Sequence, residues 1–108
     1  MPDHFLCRTD QLAEGRGRPA SAGGRYLAVF LVDGQVRVLD NRCLHVGNPL
    51  DGGAVVDGVL HCPWHGWSYD VATGELLTIA GRRPGLTTYP CRVEDGSVTV
   101  TVEGPVGD

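Results

Sequence analysis

The chain of 108 residues is long enough for one domain with a modest core, and nothing in it indicates a second. Its net charge of −4 is spread without long runs, which disfavours nucleic acid and anionic membranes as partners. A membrane-spanning helix needs about 20 consecutive apolar residues, and the sequence has no such run. Because no basic stretch followed by an apolar core opens the chain, we expect no secretory signal and a cytoplasmic protein with reduced thiols.

Turn-forming residues are frequent, with 16 glycines and 7 prolines, and the segments between them are short, which predicts an all-β domain. The apolar run 26–32 is typical of a buried central strand, and the strict alternation over 97–102 indicates a half-buried antiparallel strand. The other predicted strands are 5–8, 19–22, 35–39, 54–56, 59–61 and 91–94. We expect one helical turn near 10–14, inside a connection from 9 to 17.

Three Asp-Gly pairs predict β-hairpins with type I′ turns, which need a positive φ at both central residues. They are Asp33-Gly34, Asp57-Gly58 and Asp95-Gly96. We expect the first and last hairpins to build the base sheet, and the middle one to spread two ligand-bearing loops so that their tips face each other. Beyond these loops, 71–74 is predicted to be a turn into 75–77, 78–88 an irregular surface excursion, and 104–108 a frayed tail.

Two short segments each supply one cysteine and one histidine: Cys43 and His45 in the first, Cys62 and His65 in the second. Thiolates and imidazoles together can complete a metal site, but neither segment can surround a metal alone, so the fold must bring two loops to one point. A structural zinc site uses the same ligand types. The ligand order disfavours zinc, because zinc fingers generally group like ligands as C-x-x-C and H-x-x-x-H.

The flanking residues closely resemble the two cluster-binding loops of the Rieske iron–sulfur family, C-x-H-x-G-x-P-L and C-P-x-H-G-x-x-x-D. Segment 43–50 fills the first pattern and segment 62–70 the second. The resemblance implies one [2Fe-2S] cluster per chain. The implied ligands are Cys43 and Cys62 on one iron and His45 and His65 on the other.

The resemblance extends over nearly the whole chain and implies a Rieske fold. In that fold an antiparallel β-sandwich forms the base, and two loops form a small cluster-binding subdomain. We therefore expect a single Rieske [2Fe-2S] domain at 1–108, with the cluster-binding subdomain at about 41–70. The histidine-ligated iron would lie nearest the surface and form the exit for electrons.

The resemblance also indicates which kind of Rieske protein this is. High-potential members carry a disulfide between the loops, at positions occupied here by Asn48 and Trp64, so this disulfide cannot form. They also place a serine hydroxyl where this chain has Trp67, while Tyr69 keeps the tyrosine of the pattern. Hydrogen bonds to cluster or ligand sulfur raise the reduction potential, so we expect a potential near the low end of the Rieske range, about −150 mV.

These features resemble the soluble Rieske ferredoxins of bacterial aromatic-ring dioxygenase systems. The resemblance implies a one-electron carrier and not an enzyme. Such a carrier accepts electrons from a flavin-dependent ferredoxin reductase and passes them to a terminal Rieske oxygenase in transient complexes. We expect a monomer. The sequence shows no nucleophile motif, phosphate-binding glycine loop or open metal triad that would indicate catalysis.

Two other proteins share this resemblance and are kept as alternatives. One is a small Rieske-like subunit of nitrite reductase, which can lack the cluster ligands; the presence of all four here disfavours it. The other is an amino-terminal domain of an oxygenase α subunit, which the initiator Met1 and the closing strand disfavour.

Four further aromatic and sulfur-bearing side chains have simpler interpretations. Cys7 and Cys91 fall in predicted strands and are interpreted as small buried hydrophobes. We expect Trp67 to pack beneath the second loop. We expect Trp64 to shield the cluster from water, and contact with a partner is the alternative.

Overall fold

The structure, a computed structural model, describes residues 3–42, 49–63, 67–77 and 85–102. Its strands are β1 Asp3–Arg8, β2 Gly17–Ala22, β3 Arg25–Val32, β4 Gln35–Asp40, β5 Ala54–Val56, β6 Val59–His61, β7 Ser68–Asp70, β8 Thr88–Tyr89, β9 Cys91–Glu94 and β10 Ser97–Thr101. One turn of 3-10 helix, Thr9–Gln11, follows β1. The predicted all-β class is confirmed. In the part of the chain described here, no helix is long and apolar enough to cross a membrane.

Antiparallel pairing assembles the strands into three sheets, in the orders β1-β10-β9, β2-β3-β4-β8 and β5-β6-β7. The four-stranded sheet is the middle layer. One of its faces packs on the β1-β10-β9 sheet, and together they form the predicted sandwich base. Its other face packs against residues of the β5-β6-β7 sheet and of the adjoining loops, where the cysteine of the second segment lies.

Strand β3 explains why the sequence shows a continuous apolar run at its centre. Leu27 and Val29 point into the core of the base, whereas Ala28 and Phe30 point into the core beneath the loops. All four side chains are fully buried. A strand covered on both faces has no solvent side on which polar residues would alternate. The exposed side chain of Tyr26 marks where this double burial begins.

All three predicted Asp-Gly hairpins form, and each has the predicted positive φ at both central residues. The φ values are 51° and 77° at Asp33-Gly34, 52° and 76° at Asp57-Gly58, and 52° and 78° at Asp95-Gly96. The predicted assignment of the first and last to one base sheet is wrong, because Asp33-Gly34 joins β3 to β4 and Asp95-Gly96 joins β9 to β10 in the opposite sheet. Turn type is a local property, whereas sheet membership depends on distant partners.

The prediction of a surface excursion over 78–88 is wrong at its end. Residues 78–84 lie outside the described part of the chain, but Leu86 is buried among the residues beneath the loops, and Thr88 opens β8. A single apolar residue shows no periodicity, so its burial could not be read from the pattern. The predicted tail at 104–108 also lies outside the described residues.

The remaining predicted elements are close to those observed. The helical turn forms at Thr9–Gln11, slightly before the predicted 10–14. The turn at 71–74 also forms, and the Asp70 carboxylate accepts hydrogen bonds from the backbone amides of Ala72 and Thr73, at 2.9 and 3.2 Å. Strand β7 was not predicted separately, because three residues within the second ligand segment carry no strand signal of their own.

Both cysteines outside the ligand segments behave as packing residues. Cys7 is buried in the base, and Cys91 is half-buried at its margin with its thiol 3.3 Å from the Val36 carbonyl oxygen. Burial raises the pKa of both thiols. A cysteine with a raised pKa holds little reactive thiolate at neutral pH, so the interpretation as buried hydrophobes stands for Cys7 and, less completely, for Cys91.

Candidate metal centre

The second ligand segment begins where the β6-β7 hairpin leaves its sheet. The Cys62 backbone amide donates to the Trp67 carbonyl at 2.8 Å, directly beyond the last ladder pair, His61 with Ser68. The residues on either side of segment 63–66, Cys62 and Trp67, are therefore joined by a backbone hydrogen bond at the end of the β6-β7 ladder. Cys62 is only 3% exposed and packs with Leu60 in the core beneath the loops.

The first ligand segment begins at the end of β4 and is closed by a side chain. The Asn41 carboxamide oxygen accepts hydrogen bonds from the backbone amides of Leu50 and Asp51, at 2.6 and 2.9 Å. Its nitrogen donates to the Asp51 carboxylate at 2.8 Å. These bonds join the two ends of segment 42–49, which carries Cys43 and His45 in the sequence.

The bases of the two segments meet on one core. Leu50 at the end of the first segment is fully buried in the same cluster as Cys62 at the start of the second. At Gly53 a side-chain carbon would overlap the carbonyl oxygen of His61, so the backbone leaving the first segment passes directly against the residue that precedes Cys62. The structure thus brings together the bases of the two segments, while the predicted facing of the loop tips lies outside the described residues.

Of the four predicted ligands, the structure describes Cys62. The other three, Cys43, His45 and His65, lie outside the described residues, as do Asn48 and Trp64. Among the residues with described positions, no three His, Cys, Asp or Glu side chains gather around one point. No disulfide links Cys7, Cys62 and Cys91 to one another in this part of the chain.

Two aromatic side chains support the base of the second segment. Trp67 is half-buried and packs against the core beneath the loops, so its predicted packing role is confirmed. Tyr69 is fully buried in that core on β7, paired with Leu60 of β6. On the exposed side of the same hairpin, the Ser68 hydroxyl and the His61 Nδ1 atom are 3.2 Å apart.

A hydrogen bond also fixes the end of β4, one residue before Asn41. The Tyr89 hydroxyl donates to the Asp40 carboxylate at 2.5 Å. Burial of the phenol and, after it, this hydrogen bond raise the pKa of Tyr89 to about 12. Asp40 and Asn41 were not singled out in the sequence, where a polar pair after an apolar strand is the ordinary signal of a turn.

The donor set fits an iron–sulfur cluster. A buried thiolate is costly in an apolar core unless a cation is bound to it, and Cys62 lies in such a core. Thiolate sulfur is a preferred ligand of iron in sulfide-bridged clusters, and imidazole also suits iron. Cys7 is equally buried as a packing residue, so what fits Cys62 to such a group is its place at the base of the second ligand segment.

Comparison with known proteins decides the family. Residues 3–90 match the family described as Rieske [2Fe-2S] domain. The chain belongs to this family. As a Rieske domain it carries a [2Fe-2S] cluster as its cofactor. The Rieske fold predicted from the two loop patterns is confirmed.

Several relatives of this Rieske domain, matched over most of their own length, are ferredoxin components of dioxygenase systems. One is the 3-phenylpropionate/cinnamic acid dioxygenase ferredoxin subunit of Photorhabdus laumondii, 32% identical and aligned over 94% of this chain and 96% of its own length. A solved structure of a Sphingomonas yanoikuyae B1 ferredoxin has a TM-score of 0.83 and 32% identity, and the match covers 94% of this chain and 99% of that one. This Rieske domain is accordingly an electron-transfer ferredoxin, and not a catalytic enzyme.

A third similar protein was solved together with an oxygenase. The structure is described as a complex of reduced oxygenase and oxidized ferredoxin in carbazole 1,9a-dioxygenase. Its matching chain has a TM-score of 0.81 and 26% identity, and 93% of each chain is covered.

Proposed function

We propose that this ferredoxin carries one electron at a time from a flavin-dependent reductase to the Rieske centre of a terminal oxygenase. The observation that carries the proposal is the likeness, over nearly its full length, to the ferredoxin found in complex with a carbazole dioxygenase oxygenase. A small carrier that exchanges partners suits short-lived complexes, which occupy the low end of interface size. We expect it to act as a monomer in the cytoplasm.

We also propose that Cys43 and Cys62 bind one iron, and that His45 and His65 bind the other. The support is the meeting of both segment bases on the core that holds Cys62, together with the ligand spacing in the sequence. When bound, the cluster supplies one-electron chemistry, with a potential that imidazole ligation raises above that of an all-cysteine cluster. The described residues close the bases of both segments by hydrogen bonds and leave Cys62 only 3% exposed.

The ligand assignment is tested by electron paramagnetic resonance of the dithionite-reduced protein, beside an iron and sulfide assay after anaerobic preparation. We expect the rhombic signal of a His/Cys-ligated [2Fe-2S] cluster, two irons and two sulfides per chain, and uptake of one electron in a coulometric titration. The Cys62→Ala variant should lose the signal. The matched control, Cys91→Ala, removes a half-buried strand cysteine at the margin of the base core and should keep the signal.

The same measurements separate the alternatives. One zinc and no sulfide per chain would indicate the structural zinc domain and exclude electron transfer. A chain that folds without iron or zinc would favour the nitrite reductase subunit, whose Rieske-like fold can lack a cluster. If the chain is the carrier, the reduced protein should transfer one electron per chain to a terminal Rieske oxygenase, and its reoxidation should occur in a single step.

A further inference from the structure

The two ligand segments are closed at their bases in different ways. Strands β6 and β7 pair with each other, so their backbone ladder closes the second segment. The first segment lies between β4 and β5. Among the described strands, β4 pairs with β3 and β8, and β5 pairs with β6, so no backbone ladder joins the two ends of the first segment.

Asn41 provides that missing connection. It is 4% exposed, and among the residues the structure describes it is the one buried side chain that is neither aliphatic, aromatic nor a cysteine. Its carboxamide oxygen uses both lone pairs, on the amides of Leu50 and Asp51, and its nitrogen binds the Asp51 carboxylate. Its own backbone amide donates to the Tyr26 carbonyl at 3.0 Å, which extends the β3-β4 ladder by one bond. One residue thus ties the central sheet to the far end of the first segment.

We propose that Asn41 is a positioning residue for the cluster. Its carboxamide sets the separation between the two ends of the segment that carries Cys43 and His45, and binds the far end of that segment at Leu50, which lies in the core containing Cys62. The inference rests on the proposed ligand assignment, and Asn41 itself is not proposed to touch the metal.

The side-chain chemistry of asparagine suits this role better than that of its nearest analogues. The site needs an acceptor for two backbone amides and, on the same group, a donor for the Asp51 carboxylate. A leucine of similar size would leave the buried Leu50 amide and the partly buried Asp51 amide without an acceptor, which is costly. An aspartate would keep the acceptor but would bring a second carboxylate against Asp51, and two adjacent carboxylates resist joint ionisation.

The first test compares Asn41→Leu with Val98→Ala. Val98 is fully buried in the core of the base and shares no contact cluster with either segment, so its truncation lowers stability without reaching the loops. The readouts are the half-life of the cluster absorbance in excess chelator and the electron paramagnetic resonance line shape. We expect about tenfold faster cluster loss and a broadened signal for Asn41→Leu, since buried amides lose their acceptor. Val98→Ala should keep the wild-type signal and release the cluster only slightly faster.

The second test uses reversal of one hydrogen bond. Asn41→Asp alone should release the cluster faster than the wild type, because it faces Asp51. Combining it with Asp51→Asn exchanges donor and acceptor while keeping an oxygen for the two backbone amides, and should restore the half-life and line shape. This rescue separates positioning from a general need for a folded chain, since the double variant differs from wild type only in which residue carries the carboxylate.

The outcomes are distinguishable from those that test the ligands. If the wild type binds the cluster and the Asn41 variants retain it as long and with the same signal, the positioning role is overturned and the proposed function is unaffected. The positioning role would also be overturned if Asn41→Asp released the cluster faster and the added Asp51→Asn substitution did not restore its half-life. A wild type without any [2Fe-2S] cluster would overturn the ligand assignment and this inference together.

Discussion

The hydrogen bond between Tyr89 and Asp40 couples the carrier's stability to alkaline pH. The pKa of Tyr89 is raised to about 12, first by burial and then by the hydrogen bond to Asp40, from an ordinary value of about 10. Folding therefore favours the protonated phenol. Its stabilising contribution is complete below about pH 10 and is lost as the pH rises from about 10 toward 12.

This coupling can be measured because the chain has no lysine, so few side chains other than tyrosine and cysteine titrate in that range. We expect the melting temperature of Tyr89→Phe to fall less steeply between about pH 10 and 12 than that of the wild type. Tyr26→Phe is the matched control, because Tyr26 is 70% exposed. Parallel declines in the wild type and Tyr89→Phe would contradict the assignment.

The side chain of Trp67 affects the expected reduction potential. It occupies the position of a serine hydroxyl in high-potential Rieske proteins and has no hydroxyl to donate, and its ring packs on the core beneath the loops. We expect a midpoint near −150 mV, at the low end of the family's range of about −150 to +300 mV. Protein-film voltammetry near neutral pH measures it, and a positive midpoint would show that other groups compensate for the missing hydroxyl.

Glycines with a positive φ occur both in the Asp-Gly hairpins and in the turn at 71–74, but the space around each glycine differs. Gly34 has a φ of 77° and no atom within 4 Å of where a side-chain carbon would stand. Gly74 has a φ of 82°, and a side-chain carbon there would overlap the Leu86 carbonyl oxygen. Gly74 also binds Leu86 by a backbone hydrogen bond of 2.7 Å, which holds the buried end of the 78–88 segment.

The pair predicts two different costs for the same substitution. Gly34→Ala should cost about 1 kcal/mol from backbone strain alone and lower the melting temperature by about 4 to 8 °C. Gly74→Ala adds a collision with backbone and should cost more than about 3 kcal/mol or prevent folding. Thermal unfolding followed by circular dichroism compares them. Equal shifts in melting temperature for the two variants would mean that the chain around Gly74 moves to accommodate the added carbon at no cost in stability.

The molecule as a whole contains two cores that depend differently on the cluster. The core of the base takes no residue from 41–70, whereas the core beneath the loops contains Leu50, Leu60, Cys62 and Tyr69 from that range. Strand β3 contributes to both. On the proposed ligand assignment, the base can therefore remain packed when the metal is removed, whereas the other core loses the support that metal binding would give to Cys62.

Removal of iron should consequently loosen one half of the molecule more than the other. In hydrogen exchange followed by mass spectrometry, we expect peptides covering β6 and β7 to lose protection in the apoprotein. Peptides covering β10, whose Val98 and Val100 are fully buried in the base, should stay protected. Equal loss in both regions would show that the two cores unfold as one unit.

Net charge is a further property of the whole molecule. At −4 the carrier should be attracted to a basic docking surface on its partner, and this attraction is screened over about 10 Å at an ionic strength of 0.1 M. We expect electron delivery to a terminal oxygenase to slow as salt is raised at constant pH. Stopped-flow reoxidation of the reduced ferredoxin measures this, and a rate that does not change with salt would exclude steering by charge.

By itself the sequence determined the features that are local or chemical. The Asp-Gly turns, the alternation in β10 and the apolar run in β3 follow from backbone preferences and side-chain periodicity over a few residues. The [2Fe-2S] cofactor follows from the resemblance of the two ligand patterns to those of the Rieske family, whereas the donor types alone would also suit zinc. The identity of the four ligands was predicted in the same way.

Only the tertiary structure decided what depends on residues far apart in the chain. It assigned the Asp33-Gly34 and Asp95-Gly96 hairpins to opposite sheets and buried Leu86, near the end of a segment that the sequence predicts to run over the surface. It also joined Asn41 to Leu50 and Asp51, across the first ligand segment. Sheet partners, burial and side-chain closure of a loop arise from packing between distant elements, and no short pattern in the sequence encodes that packing.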